Sequence, residues 1–316
     1  MPAPSVSCPA CGARGATPAG SVAVSRQHAL YFPAAPEVQQ RATEVAAVTD
    51  YLMWQCGSCG LAFASPMVAP GRAWYEVVYR ALDVKPEQRW EYGPVLDSLT
   101  AADAVYEIGC GHGGFLARCR DRGVRAFGID FSPDAVDACR RQGLSAAAGP
   151  IGPDGSNAEG WQASVVVSFH VLEHLERPDD LFAHASAVSG SSSRLWVSVP
   201  SDRRISRTLG LRDPLDEPPH HLTKWTERAC AAIGARNGWR LVNVLYEPFS
   251  SRSGLWSIAS SFRIYDLARS SAWLRRRVVE RMLRATLYPA AAVRLVAVTR
   301  GRSMSGLSML AEYSRT

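Results

Sequence analysis

Lysine is almost missing from this chain of 316 residues: Lys85 and Lys224 are the only lysines among 35 basic side chains. Arginine in their place, with abundant alanine, marks a high-GC genome rather than a function. Long apolar runs are missing as well. No stretch reaches the ~18 apolar residues that a membrane-spanning helix needs. The nearest, TLYPAAAVRLVAV close to residue 290, is broken by Pro289 and Arg294. The opening MPAPSVSCPACG lacks a basic segment followed by an apolar one, so no secretory leader is expected and the cytoplasm is the expected location. A composition of 47% hydrophobic and 20% charged residues is that of a soluble globular chain. Its length allows one large domain and a small one.

Charge is unevenly placed. Residues 251–316 hold twelve arginines against Asp266, Glu280 and Glu312, a local +9, which leaves −3 for the rest of a chain whose net charge is +6. Such a segment meets nucleic acid, an anionic lipid surface or simply water, and a solvated face is the preferred reading. The stretch SFRIYDLARSSAWLRRRVVERMLRATLYP reads equally as an amphipathic helix pair.

Eight cysteines divide into two groups. Cys110, Cys119, Cys139 and Cys230 are scattered and behave as small apolar residues. Cys8 with Cys11 and Cys56 with Cys59 are two pairs of identical spacing, each followed by glycine. Two such turns present four thiolates to one tetrahedral ion, the arrangement Zn²⁺ favours. Disulfides and a redox pair are the alternatives; a cytoplasmic chain without a thioredoxin-like strand pattern argues against both. Four thiolates close the coordination sphere, so this zinc holds structure. The 44 residues between the pairs need a loop or small helix, with APEVQQRATEVAAV as the helical stretch.

From about residue 100 strands and helices alternate. AVYEIGCG, RAFGIDFS, ASVVVSFH and SRLWVSVP read as strands; GFLARCRDRG, SPDAVDACRRQG and RPDDLFAHASAV read as helices; GWRLVNVLY and SGLSMLAEYS add strands near the end. Ser132 as cap, Pro133 at the first position and Gly143 at the stop frame one helix. The pattern predicts an α/β fold, a Rossmann-like, mostly parallel sheet of seven strands with helices on both faces. Ligands of such sheets sit at the carboxyl ends of the strands. The expected organisation is a cysteine module over 1–65, a helical linker or lid over 66–100 and a catalytic domain over 101–316. Helix-rich residues 246–290 and the basic loop 201–221 are further expected covers for a substrate.

EIGCGHGG follows the first strand of this domain. Gly109, Gly111 and Gly114 satisfy the dinucleotide pattern GxGxxG, which keeps a nicotinamide or flavin enzyme in view. Gly113 also completes GxGxG, with Glu107 two residues ahead, where a pyrophosphate would be repelled. Asp130 ends the second strand, placed to accept from two ribose hydroxyls, and Phe131 beside it is placed to cover a base.

This acid–glycine–acid pattern resembles motif I of the class I S-adenosylmethionine-dependent methyltransferases. LAFASPMVAP, VLEHLERPDDLF, PPHHLTKWT and GRSMSGLSMLAEYSR extend the resemblance to the broad group that includes ubiquinone-pathway O-methyltransferases, some of whose members carry an N-terminal cysteine zinc module. The resemblance implies S-adenosylmethionine as cofactor, held by Glu107, Gly109, Gly111, Gly113, Asp130, Phe131 and Phe169. In RWEYG, residues 89–93, it implies a Tyr or Arg touching the cofactor carboxylate or the substrate.

Histidine is scarce, seven in all, yet SFHVLEH and PPHHLTKW hold four of them. If SFHVLEH turns helical, His170, Glu173 and His174 share one face, at the carboxyl end of the fourth strand and beside the expected methyl donor. His221 fits as the fourth member, and His220 fits less well. The small-RNA terminal 2′-O-methyltransferases are similar here: Glu173, His174 and His221 match an element that binds a divalent metal there, while His170 stands where that element has Glu. One carboxylate with three imidazoles suits Zn²⁺, Fe²⁺ or Co²⁺. A second divalent metal, a metal-free general base and a purely structural cluster all stay open.

The expected function is therefore methyl transfer to a small-molecule acceptor, O-directed, in specialised-metabolite biosynthesis. RNA methylation using the zinc module and the arginine-rich region is the alternative. A non-catalytic scaffold and a nicotinamide oxidoreductase are weaker readings. Acceptor, methylated atom and oligomeric state are not legible.

Overall fold

A computed structural model describes residues 6–33, 35–82, 89–153, 161–211, 213–250, 258, 289 and 304–316. The expected helix pair over 261–289 lies outside the described residues, as does most of the expected cover over 246–290. In chain order the elements begin with β1 (Thr17–Ala23), α1 (Val24–Tyr31), α2 (Pro36–Glu44), β2 (Asp50–Gln55), β3 (Ala62–Ser65) and α3 (Arg72–Leu82). Next come α4 (Tyr92–Asp97), β4 (Ala104–Ile108), α5 (Gly114–Asp121), β5 (Arg125–Asp130), α6 (Pro133–Arg141), β6 (Ala146–Ala148) and β7 (Ala163–Phe169). The last are α7 (Asp179–Ala187), β8 (Ser189–Pro200), α8 (Ile205–Thr208), β9 (Thr223–Lys224), α9 (Glu227–Arg236), β10 (Trp239–Tyr246) and β11 (Ser308–Arg315).

Seven strands form one sheet in the order β10-β11-β8-β7-β4-β5-β6. β4 pairs parallel with β5 and β7, and β5–β6 and β7–β8 are parallel too, whereas β11 runs antiparallel to both its neighbours. The sheet is thus the mostly parallel, seven-stranded, Rossmann-like one that the alternating pattern predicts. Its central strands are apolar on both faces because helices cover both: every residue of β4 is buried, and β7 has only Ser164 partly exposed. Local chemistry sets the helix ends as read. Ser132 accepts from Ala135 N–H at 3.4 Å with Pro133 at the first position, and Gly143 N–H donates to Arg140 C=O at 2.9 Å at the stop. Chain order reverses on the two sides of β4, which opens a crevice at the strands' carboxyl ends.

The first sixty residues build a second sheet, β1-β2-β3-β9, antiparallel throughout. The gap between the cysteine pairs therefore holds two strands and two helices, of which only α2 was legible. Cys8 and Cys11 lie on one tight turn, closed by Gly12 N–H to Cys8 C=O at 2.9 Å; Cys56 and Cys59 lie on the turn between β2 and β3, closed by Gly60 N–H to Cys56 C=O at 3.0 Å. One sulfur of each turn faces one of the other, Cys8–Cys59 and Cys11–Cys56 both at 3.6 Å, and all four thiols are free.

The fourth strand of this sheet comes from far downstream. Phe63 is in register with Thr223 and Ala62 with Lys224, and Ala64 N–H donates to Leu222 C=O at 2.8 Å. Thr226, which caps α9, donates its hydroxyl to Cys59 C=O at 2.7 Å, and Arg236 donates to the Pro9 and Ala10 carbonyls at 3.1 Å. Trp54, Cys59 and Phe63 belong to the same buried cluster as Trp225, Ile233 and Tyr313. Burial of an indole such as Trp225 contributes about 3–5 kcal/mol, so this contact is cemented rather than grazing. Among the described residues no helix is long and apolar enough to cross a membrane.

Candidate active site

The glycine turn after β4 is shaped by what surrounds it. Gly109 has φ 80°, and a Cβ there would stand 2.3 Å from Val171 Cγ2. Gly111 has φ 51°, with nothing within 4 Å of an added Cβ, so its outer side is open. It opens on a cavity of about 520 Å³ lined by Glu107, Gly109, Gly111, Asp130, Phe131 and Phe169. Gly113 is not part of the lining; its Cβ position is filled by Leu144 and Cys139, which makes it the contact between turn and helix α6. Arg89 and Tyr92 of the RWEYG stretch line the cavity, and so do Tyr75 and Tyr79 of α3.

Two acids mark the floor and rim. Glu107 is buried, one of its oxygens has no partner, and desolvation holds its carboxyl well above the ordinary carboxylate range against the pull of Arg89. Asp130 accepts from Gly111 N–H at 2.8 Å and Ser132 N–H at 2.9 Å, one on each oxygen, which fixes the carboxylate while leaving each oxygen a second lone pair. Phe131 is 52% exposed at the mouth, an unusual position for a phenylalanine, and among the described residues its one aromatic neighbour is Tyr75. Phe169 packs on Tyr92 and Phe115, both at 5.0 Å between ring centres.

Beyond Phe169 the chain leaves β7 with His170 at φ 56°, the one non-glycine residue of positive φ among those described. That conformation costs about 1–2 kcal/mol for an L-residue. Leu172–His174 then form a single 3₁₀ turn rather than an α-helix. The difference redistributes the expected cluster. His170, set outside that turn by its left-handed backbone, meets Glu173 at 3.0 Å and with its other nitrogen Glu91 at 2.9 Å, whereas His174 bonds to His220 C=O. Burial disfavours charge on His170, but its bonds to Glu173 and Glu91 outweigh that and push its pKa up to about 9. Both carboxyls are in turn drawn down by the imidazole against their own burial.

His174 joins a different group. Leu222 N–H donates to Glu173 C=O at 2.8 Å and ties the 3₁₀ turn to the segment carrying His220 and His221. The three rings stand 4.8 Å (174 to 220), 4.8 Å (174 to 221) and 4.5 Å (220 to 221) apart, the last pair stacked. Burial, then the neighbouring histidines, lowers His174 well below the ordinary imidazole value; burial lowers His220; burial and His220 take His221 down to about 3. The expected set of His170, Glu173, His174 and His221 is therefore corrected: His170 and Glu173 are engaged with each other and with Glu91, and His220 stands in their place beside His174 and His221.

Residues 91–244 match the family model described as a methyltransferase domain. Solved structures similar to the chain include an S-adenosylmethionine-dependent methyltransferase from Archaeoglobus fulgidus, 17% identical, covering 71% of this chain and 90% of that one, TM-score 0.49. Another is the O-methyltransferase of a trans-AT polyketide synthase multienzyme of Brevibacillus brevis in complex with S-adenosyl-L-homocysteine, 13% identical, 72% of each chain, TM-score 0.44. A third is a possible histamine N-methyltransferase from Thermotoga maritima, 11% identical, 72% and 87%, TM-score 0.45. No curated protein matches the sequence.

Around this cavity, sequence reasoning missed three groups. Glu91 lies inside a stretch that was singled out for its Arg and Tyr, yet it is the buried partner of His170. Tyr75 and Tyr79 were passed over, although their spacing of four on an amphipathic helix is a readable signal. His220 was set aside for His221, because only contact between rings reveals a stacked neighbour.

Proposed function

We propose that this chain transfers a methyl group from S-adenosylmethionine to the hydroxyl oxygen of a small-molecule acceptor in a biosynthetic reaction. The observation carrying this reading is the cavity at the end of β4, where an acid with an unpartnered oxygen, an open glycine turn and an anchored acid face one space. These residues fit the cofactor: a cationic, hydroxyl-rich nucleoside supplies what each of them lacks. When bound, the cofactor supplies an electrophilic methyl on a sulfonium.

The chain's own residues do the rest. Gly109 and Gly111 let the backbone approach the ligand, with Gly113 seating the turn on α6. Asp130 would offer its remaining lone pairs to the ribose hydroxyls, and Phe131 would cover the adenine. Glu107 would receive a hydrogen bond from the amino-acid end, and Phe169 with Tyr92 would help to exclude water. His170, cationic between Glu91 and Glu173, fixes the end of β7 and has no lone pair to take a proton. The base or metal role expected of the cluster falls instead to the neutral imidazoles of His174 and His221, with His220 beside them. S-adenosylmethionine would supply the methyl, and the acceptor's hydroxyl proton would pass to such a nitrogen or to water.

The four cysteines are read as a structural Zn²⁺ site. Paired sulfurs at 3.6 Å lie far outside bonding distance and close to the about 3.8 Å of a tetrahedral thiolate set. Such an ion would hold the 1–65 module against α9. Residues 66–100 then serve as the linker and cover, and 101–316 as the catalytic domain. Calorimetry with S-adenosylhomocysteine and, separately, NAD tests the whole reading. Binding of the first alone is expected; binding of the dinucleotide, or of neither, overturns it.

A further inference from the structure

We propose that His174, His220 and His221 bind one transition-metal ion of Zn²⁺-like preference through their Nε2 atoms, with an open position for the acceptor's oxygen. Only that last clause rests on the function proposed above; the metal site itself stands on side-chain geometry. One ring nitrogen from each histidine lies within 4.8 Å of the other two. The hydrogen bonds decide which nitrogen. His174 Nδ1 is 2.6 Å from His220 C=O, His220 Nδ1 is 2.8 Å from Leu215 C=O, and His221 Nδ1 is 3.1 Å from Asp216 Oδ1. A carbonyl or a carboxylate can only accept, so each Nδ1 carries the hydrogen and each Nε2 carries the lone pair.

Three imidazoles whose Nε2 atoms carry lone pairs thereby stand side by side, their ring centres 4.5–4.8 Å apart. Among the described residues, only the Tyr79 hydroxyl, 3.3 Å from His220 Nε2, is within hydrogen-bond reach of any of these Nε2 atoms. Collecting acceptors without donors is unfavourable unless something positive sits among them. Bonds from Nδ1–H to oxygen are also what orient a metal-binding imidazole and raise its basicity. For His221 the orienting group is itself held, since Asp216 pairs through its other oxygen with the buried Arg204.

Chemistry selects the ion. Three imidazoles without a carboxylate suit Zn²⁺, Co²⁺ or Ni²⁺ and not the oxygen-seeking Mg²⁺ or Ca²⁺. With nitrogens about 2.0 Å from a tetrahedral Zn²⁺, they would sit about 3.3 Å from one another, so binding would draw the three rings together. Three protein ligands leave a fourth position, unlike the four thiolates near the N-terminus. The histidine group adjoins the cofactor cavity: Tyr75 lies 6.2 Å from the His174 ring and 5.7 Å from the Phe131 ring, and Tyr75 and Tyr79 line that cavity.

Cobalt distinguishes the two sites, because only thiolate ligands give strong sulfur-to-metal charge-transfer absorption. Metal-stripped full-length protein is titrated with Co²⁺ and, in parallel, with Zn²⁺ against a chromogenic chelator. About two equivalents per chain are expected, one with charge-transfer bands and one without. His220→Gln, at the half-exposed member, is expected to lose the second equivalent and retain the first. Near-ultraviolet circular dichroism and S-adenosylhomocysteine binding establish that the variant is folded; should it not fold, the wild-type stoichiometry and spectrum decide alone. A wild type that takes up only the thiolate-bound ion overturns the proposal, and so does a folded His220→Gln that keeps both. Two ions with no S-adenosylhomocysteine binding would refute the cofactor reading and leave this site standing.

Discussion

Gly109→Ala joins the two halves of the site in one measurement. The substitution asks alanine to hold φ 80°, which costs about 1–2 kcal/mol. It also places a methyl 2.3 Å from Val171 Cγ2, with the valine's Cβ and Cγ1 at 3.6 and 3.7 Å. Carbon atoms settle at about 3.5–4.0 Å, so one side must move by more than an ångström. Val171 yields poorly, being stiff about χ1 and followed directly by the 3₁₀ turn. Overpacking of this kind costs about 1–3 kcal/mol. The expected loss is therefore about 2–5 kcal/mol, a large share of the about 5–15 kcal/mol that holds a domain folded. Urea unfolding of wild type, Gly109→Ala, Val171→Ala and the double variant, with zinc saturating, separates the two parts. Val171→Ala relieves the collision and leaves the dihedral strain, so the cycle should show a favourable coupling of about 1–3 kcal/mol. S-adenosylhomocysteine affinity should drop at least about tenfold in Gly109→Ala, which is 1.4 kcal/mol, and recover in part in the double variant. A coupling below about 0.5 kcal/mol would mean that the turn and the end of β7 do not touch, and the described site would be wrong at its centre.

Asp130→Asn keeps the shape but turns an amide NH₂ toward either Gly111 N–H or Ser132 N–H; loss of a charged acceptor costs about 1.5–3 kcal/mol, so calorimetry should show S-adenosylhomocysteine binding weakened roughly ten- to a hundredfold, and unchanged affinity would remove Asp130 from the cofactor site. The His170 imidazole, facing Glu91 from α4, Glu173 from its own turn and the opposing Arg89, titrates at about 9 in the folded chain. That is above the ~6.5 of an unfolded histidine, so the stability it contributes is complete below about pH 6.5 and disappears as pH rises through about 9. Its ring resonances followed by NMR should show the high midpoint, and titration at or below 6.5 contradicts the Glu91–His170–Glu173 arrangement. Cys56→Ser should abolish the thiolate-bound zinc and lower the melting temperature, while a chelator lowers that of the wild type alone; a wild type whose melting ignores chelators would speak against the zinc clip.

The parts of the molecule that obey local rules were readable beforehand. Strands β4 and β7 show as apolar runs because they are buried on both faces, and α6 announces itself through Ser132, Pro133 and Gly143. β6 escaped because three alanines carry no strand signal. β9 escaped because two residues have no periodicity, and their partner β3 lies 160 positions upstream, as Lys224 and Ala62 differ by 162 and Thr223 and Phe63 by 160. The cofactor acids were legible as residue types after strands. The histidine grouping was not, since it turns on the left-handed backbone of His170 and on the tertiary bond from Leu222 to Glu173 that ties the 220–221 pair to the turn carrying His174.

The pairing of Thr223–Lys224 with β3 has a consequence for how the amino-terminal segment can be inherited. Two residues after His221, the chain is knitted into a sheet whose other three strands all come from before residue 66. Cutting that segment away would strip the downstream stretch of its sheet partner β3 and bare the indole of Trp225. It is consequently no detachable cassette: a shorter descendant would have to invent a new brace for its imidazole-bearing loop before it could dispense with the old one.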